Sequence, residues 1–263
     1  ARASGMVVIG HDAGGTGTTN WGSIAIGNGA NVTGFGAVAI GGGTNEVTGN
    51  SGIAIGDSAK SKGDGTSIGR AAVGNQAEAV NIGAQNTSNN FTTVAIGQNN
   101  TINGADCQTF GTNTQNNGSV SFTFGNNHNV GSGNQNNVIL GGDAVAVPAG
   151  TNDYVGIGRV NSPSGSSYNS ICIGLVSTMA NSHDSVAIGR SANCTNANNS
   201  VAIGNGAQAT VTNSVALGAS VVADRSNFVT VNEVEVTTVG GGIIMPSPDG
   251  TLYKLTIANG GTV

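Results

Sequence analysis

Thirteen acids, three histidines and three cysteines are the side chains of this 263-residue chain that could do acid–base, metal or thiol chemistry. Glycoside cleavage would need two carboxylates facing one bond, one to protonate the leaving oxygen and one to attack or activate water. Asp57 and Asp64 lie in one segment and Asp143 and Asp153 in another, and no convincing carboxylate pair is read across neighbouring segments. His11, His128 and His183 are far apart, so one chain does not assemble a histidine site; only a rotation axis would multiply one of them into a ligand set. Cys107, Cys172 and Cys194 are an odd set without metal-ligand spacing and read as small buried thiols. No phosphate-cradling G-x-x-x-x-G-K-[ST] loop occurs. The GGDA at Gly141 does not recur as a calcium-binding nonapeptide repeat would. Asn86-Thr87-Ser88 and Asn193-Cys194-Thr195 fit a glycosylation pattern, which an Asn-rich chain produces by chance. The ionisable groups are therefore read as solvated turn residues, and the expectation is a protein that is not an enzyme and uses no cofactor and no metal.

What must position side chains here is unusual. Charged residues make up 8% and aromatic residues 4% of the chain, and 45 residues are Gly, against about 25% charged and about 7% Gly in ordinary domains. Shortage of large side chains can mean disorder, but the net charge is only −5 and the small apolar residues are strictly placed. Eight scattered Lys and Arg cannot neutralise a run of phosphates, so nucleic acid is not an expected partner. No apolar run approaches the roughly 20 residues that span a bilayer, so no membrane insertion is expected. The opening ARASGMVVIG lacks a basic-then-apolar leader pattern, which implies a soluble chain or an anchor outside this sequence. Outward polar positions mix Asn, Gln, Ser, Lys, Asp and Thr, without the Thr ladder that ice binding would need.

A five-residue phrase organises the chain. In residues 200–218 SVAIG is followed nine residues later by SVALG, and fifteen such phrases close on Gly10, Gly27, Gly41, Gly56, Gly69, Gly83, Gly97, Gly111, Gly125, Gly141, Gly158, Gly174, Gly189, Gly204 and Gly218. These anchors are 13 to 17 residues apart. A period this short, rich in Gly, Asn, Val and Ile, fits two short strands and two turns per coil rather than helices. Flanking positions of the phrase are large: Ile24 and Ile26, Val38 and Ile40, Ile53 and Ile55, Val94 and Ile96, Val186 and Ile188, Val201 and Ile203, Val215 and Leu217. Between them stand Ala25, Ala39, Ala54, Ala95, Ala187, Ala202 and Ala216. Strand side chains alternate, so both faces of this strand are apolar. Sequence alone does not say which face turns inward.

After the glycine, apolar and polar residues alternate, as in Ala30-Asn31-Val32 and Ala192-Asn193-Cys194, which predicts a strand with one dry and one wet face. A two-stranded coil has one narrow interior. The second apolar face of the phrase strand must then be covered from outside, since fifteen stacked copies would expose far more than the few hundred Å² usual for a monomer. Identical chains around a rotation axis are the simplest cover, and an obligate homo-oligomer is expected.

The NSVAIG and NSVALG phrases, with the segment SVVADRSNFVTV at 220–231, resemble the head repeats and neck of trimeric autotransporter adhesins, the YadA-like head. The resemblance spans about residues 10–231, strongest at 185–231 and 23–56; TSIG, VNIG, QTFG, FTFG and VILG depart from the phrase in between. It implies an all-β, left-handed parallel β-roll of about fifteen coils, homotrimeric through the phrase strands, with Asp224, Arg225 and Asn227 in the neck. The expected division is 1–218 head repeats, 219–231 neck-like segment and 232–263 a small C-terminal β element.

Beyond the neck, an autotransporter would continue into heptads and a membrane barrel. Here Pro246, Pro248, Asp249 and Gly250 give a turn signal, followed by strand residues Leu252, Tyr253, Leu255 and Ile257. The string SPDGTLYKLTIANGGTV resembles the closing segment of bacteriophage tail-fibre proteins. The reading is a virion attachment fibre whose partners are itself, other tail or baseplate proteins and a bacterial surface receptor. Its alternatives are a bacterial adhesin head on the outer-membrane surface, and a purely architectural shaft or collar. Receptor chemistry is expected in the longer intervals, at Trp21, Tyr154, Arg159 and Tyr168, because such side chains bury much area at low entropic cost.

Overall fold

The computed structural model describes residues 5–16, 20–143, 145–159, 161–165, 167–237 and 242–255. It divides into two units, residues 1–230 and 231–263. The first is an all-β parallel solenoid. Its phrase strands form one sheet of sixteen strands in chain order, from Val7–Ile9 and Ile24–Ile26 to Val215–Leu217 and Val229–Val231. The second strands of the coils form a ten-stranded sheet from Gly14–Gly15 to Ala146–Val147 and a five-stranded sheet from Ser162–Ser164 to Val222–Ala223. The register is in phase: Ile24 pairs with Val38, Ala25 with Ala39 and Ile26 with Ile40, and Val201, Ala202 and Ile203 pair with Val215, Ala216 and Leu217.

Fifteen anchor glycines imply fifteen coils, and the structure has sixteen phrase strands. The extra one, Val229–Val231, lies in the neck-like segment and runs into Asn232 where the anchor glycine would stand. Val222–Ala223 of the same segment pairs with Gln208–Ala209, so the expected neck continues both sheets. The second sheet divides for a chemical reason. Elsewhere the residue after the second strand donates across coils, as Gly131 N does to Val147 O at 2.7 Å. In the next coil that residue is Pro148, which has no N–H.

Thickness decides which face is core. Ala25, Ala39, Ala54, Ala95, Ala187, Ala202 and Ala216 are fully buried, opposite Val32, Val47, Ile102, Met179, Cys194 and Ala209 on the second strands. The larger residues flanking each alanine point outward. The serine that opens NSVAIG also faces in: Ser185 Oγ donates to Ala197 O at 2.8 Å and accepts from Ser200 N at 3.2 Å, and Ser200 Oγ repeats this with Val211 O and Ser214 N. It satisfies corner groups of two coils that a wholly apolar interior would leave unpaired. The preceding Asn199 and Asn213 take left-handed backbone angles, φ +52° and +57°, which asparagine tolerates better than most side chains.

In the middle coils the departures from VAIG change the interior and keep the register. Ser67, Asn81, Thr109 and Thr123 occupy the alanine position, all fully buried. Ser88 Oγ donates to Asn81 Oδ1 at 2.8 Å and Thr123 Oγ1 to Thr109 Oγ1 at 2.9 Å. Tyr154 takes the serine position, and its ring lies where a Cβ on Gly156 would come within 2.8 Å of Cε1, so the alanine of the phrase gives way to glycine there.

The second unit holds an antiparallel pair, Ile243–Pro246 with Leu252–Leu255. Its turn is tied by Ser247 Oγ to Asp249 and by Thr251 N to Asp249 Oδ1 at 2.9 Å, contacts that hold the Asp249 carboxyl down at about 2, the Ser247 bond first. Of the expected strand residues here, Ile257 lies outside the described residues.

The anchor glycine is the tightest point of the stack. Gly111 has φ +150°, and a Cβ there would overlap the carbonyl of Gly125 in the next coil; Gly27 stands the same way over Gly41. Gly111→Ala is expected to destabilise the solenoid by about 2–5 kcal/mol through strain and overlap. Gly142→Ala, where a Cβ meets nothing within 4 Å, is expected to leave the thermal midpoint within a degree or two. Thermal unfolding followed by circular dichroism compares the pair.

Candidate functional site

Two surfaces of the solenoid carry side chains able to recognise something. The first is the outer face of the phrase sheet. Its row next to the anchor glycines runs Ile9, Ile26, Ile40, Ile55, Ile68, Ile82, Ile96, Phe110, Phe124, Leu140, Ile157, Ile173, Ile188, Ile203 and Leu217, without a polar interruption. The companion row, which includes Ile24, Val38, Ile53, Val94, Val186, Val201 and Val215, is interrupted by Thr66 and Gln108. These side chains stay half-buried to exposed: Ile203 is 39%, Leu217 37% and Phe124 56% exposed. Ile96, Phe110, Phe124, Leu140 and Ile157 line an open apolar groove, in which the Phe110 and Phe124 rings are 6.4 Å apart. The sequence-level interface stripe thus separates into two sets. The seven alanines are spent inside their own coil and cannot meet a partner; the Val, Ile and Leu rows remain.

The second surface is the corner preceding each phrase strand. Trp21 is 56% exposed there. Tyr168 is 40% exposed and stacks on His183, with centroids 3.6 Å apart and planes 14° from parallel. Arg159 pairs through Nε with Asp143 at 3.1 Å at the surface. Tyr154 is a correction: it is fully buried, so it is a core residue and not a receptor contact. Alternation explains it, since Tyr154 lies one place before the outward Val155 and faces in; burial pushes its hydroxyl well above the usual range. Sequence reading passed over Phe35 and Phe91, which are exposed. Their signal was available, because both stand six residues before an anchor glycine, as Trp21 and Tyr168 do. In the neck-like segment, the Arg225 guanidinium lies 4.4 Å from the Phe228 ring centroid and Asn227 N donates to Asn213 O, while Asp224 is exposed.

Among the described residues, no three His, Cys, Asp or Glu side chains converge as a metal site would require. Within the solenoid, the titratable groups with displaced pKa values are interior ones. Cys107, Cys172 and Cys194 are buried free thiols. Burial raises all three, Cys194 to about 12. They are expected to resist a disulfide reagent at pH 8 in the native protein and to react fully in denaturant.

His128 is held neutral at a corner. Val145 N donates to Nδ1 at 3.3 Å, which leaves Nε2 to donate to Phe124 O, also at 3.3 Å. Burial is the main cause that lowers its pKa below 6.5. The unfolded chain therefore binds this proton more readily, and stability falls as pH drops through about 6.5. The loss in melting temperature between pH 7.5 and 5 is expected to be smaller for His128→Asn, since Asn100 fills the equivalent corner and donates to Gly111 O at 2.7 Å.

Residues 22–44 and 196–220 match the YadA head domain repeat. No curated protein matches the chain. Each matched segment contains two complete phrase strands with their anchors, Ile24–Ile26 and Val38–Ile40 with Gly27 and Gly41, and Val201–Ile203 and Val215–Leu217 with Gly204 and Gly218. The chain thus carries two segments similar to the YadA head domain repeat within a parallel solenoid.

Proposed function

We propose that this chain is a trimeric attachment fibre: three solenoids packed through their outer Val/Ile rows, displaying corners and insertions to a bacterial surface as part of a bacteriophage tail. The observation that carries association is the uninterrupted row from Ile9 to Leu217, left partly open by a coil whose interior is already filled. Fully burying an isoleucine is worth about 1.5–3 kcal/mol, so completing the burial of residues about a third exposed contributes on the order of 0.5–1 kcal/mol each. Repeated along the row, this competes with an association cost of roughly 4–15 kcal/mol per event. Trimeric order follows the YadA-like head resemblance. The second unit supports association too, because Ile244, Met245, Leu252 and Tyr253 of its hairpin are exposed, and a lone two-stranded hairpin is marginal in water.

The phage setting rests on the likeness of residues 247–263 to tail-fibre ends. A second reading, a bacterial adhesin head, is favoured by the two matched repeat segments. Both place the chain outside the cell and give it a binding rather than a catalytic task. Genes for baseplate and tail proteins beside this one would support the first; a membrane-barrel segment in the same reading frame would support the second.

Sedimentation equilibrium is expected to give three times the 25.6 kDa chain mass. Ile188→Asp combined with Ile203→Asp, neighbours in the outer row next to the anchor glycines, is expected to lower that mass or produce aggregates. A compact wild-type monomer at micromolar concentration would overturn the proposal.

A further inference from the structure

Away from the phrase-sheet face, most exposed aromatic side chains of the solenoid share one register position. Trp21, Phe35, Phe91 and Tyr168 stand six residues before Gly27, Gly41, Gly97 and Gly174, and His183 six before Gly189. Among the described residues of this unit, only Phe124 and Phe228 are exposed aromatics placed elsewhere. Backbone bonds show that the position stacks from coil to coil: Gly36 N donates to Trp21 O, Ser51 N to Phe35 O, Asp184 N to Tyr168 O and Asn199 N to His183 O, all within 2.7–3.1 Å. One corner therefore presents Trp21 and Phe35 on neighbouring coils, then Phe91, then the Tyr168–His183 stack.

Between these islands the column holds the amides Asn50, Gln135 and Asn152, with Gly63, Ala77, Ala105 and Ser119 at its other positions, and Asn198 follows His183. Asn50 Oδ1 accepts from Phe35 N at 3.0 Å, Asn152 Oδ1 from Gln135 N at 2.8 Å and Asn198 Oδ1 from His183 N at 3.0 Å. Each bond turns the amide oxygen onto the backbone and leaves the Nδ2 end as a donor for a ligand. The column thus differs in kind from the Val/Ile rows. An unbroken dry row suits a copy of itself, whereas aromatic faces spaced by amide donors suit a ligand that alternates C–H faces with hydroxyl groups. These aromatic and amide residues carry no formal charge at neutral pH, and the chain as a whole is at −5, which disfavours a polyanionic ligand.

We infer that this corner is a glycan-binding edge that takes neutral sugar chains, with rings laid on Trp21 and Phe35 at one end and on Tyr168 at the other, and hydroxyl groups on the intervening amides. The inference rests on the attachment reading and names the chemistry of its receptor.

Trp21 is the only tryptophan in the chain, so its emission reports on this corner alone. The intact protein would be applied to a printed panel of neutral bacterial surface oligosaccharides, with dextran sulfate as the anionic control, and each bound sugar titrated against Trp21 fluorescence. Binding of at least one neutral glycan is expected, with a shift in Trp21 emission. With all variants compared on the panel at graded protein concentrations, Trp21→Ala or Tyr168→Ala should weaken binding at least tenfold with the oligomer mass unchanged, and Trp21→Phe should retain most of it. No neutral binder, binding to dextran sulfate alone, or affinity indifferent to both alanine variants would overturn the edge. Cell binding separates the two ideas. Wild-type binding to bacteria that survives both variants and periodate treatment of the cells, but not protease treatment, would leave attachment standing and replace the glycan with a protein receptor. Absence of wild-type binding to any cell would sink the attachment reading by itself, leaving the panel to decide the edge.

Discussion

Backbone of one coil rests directly on backbone of the next, and the rest of the molecule follows from that closeness. The anchor glycines mark where it is tightest: at Gly27, Gly41 and Gly111 the carbonyl above occupies the space a Cβ would need. Regular stacking then holds each phrase strand in phase with its neighbours and leaves a thin interior between the two sheets. Alanine fits there opposite valine or cysteine. The large residues that flank it face outside, where their burial cannot be completed by their own chain.

Thin coils also have many corners, and corners expose backbone polar groups. The chain meets this demand by repetition, with one side chain per coil serving two coils. Ser185 and Ser200 each bridge a carbonyl and an amide in the interior. On the surface, Asn75, Asn89, Asn103 and Asn117 form an amide ladder with Nδ2 to Oδ1 distances of 2.6, 2.6 and 2.5 Å. Residues such as Asn99, Asn113 and Asn127 hold left-handed angles that cost an ordinary residue roughly 1–2 kcal/mol, and their side chains bond to one another at 2.9 Å. Stability in such a stack is a sum of similar coil-to-coil contributions, which is why the alanine position can become Ser67, Asn81 or Thr109 without loss of register.

The coil keeps its register while interior side chains vary, so the side chains left accessible to a ligand are those of the corners, the insertions and the outer rows. The aromatic residues of one corner, the Arg159–Asp143 pair and the Tyr168–His183 stack all lie there. Where an aromatic residue enters the interior, the phrase itself changes to receive it, as Gly156 does for Tyr154.

The phrase alone determined the two-strand coil, its approximate number and the doubly apolar strand, since period and alternation are properties of the chain written in its order; parallel stacking was what the family resemblance implied. It did not reveal which apolar face lines the interior: both are apolar, and only the stacked sheets show that the middle residue of the phrase, most often alanine and in one coil Ile139, is the one enclosed. Nor did it reveal the sixteenth phrase strand, which ends in Asn232 without the anchor, or the burial of Tyr154, whose side of the strand is visible only once Val155 is registered with Val138. The shared corner of Trp21, Phe35, Phe91 and Tyr168 was latent in their spacing from the glycines. It became a surface only when stacking brought residues far apart in sequence onto one edge.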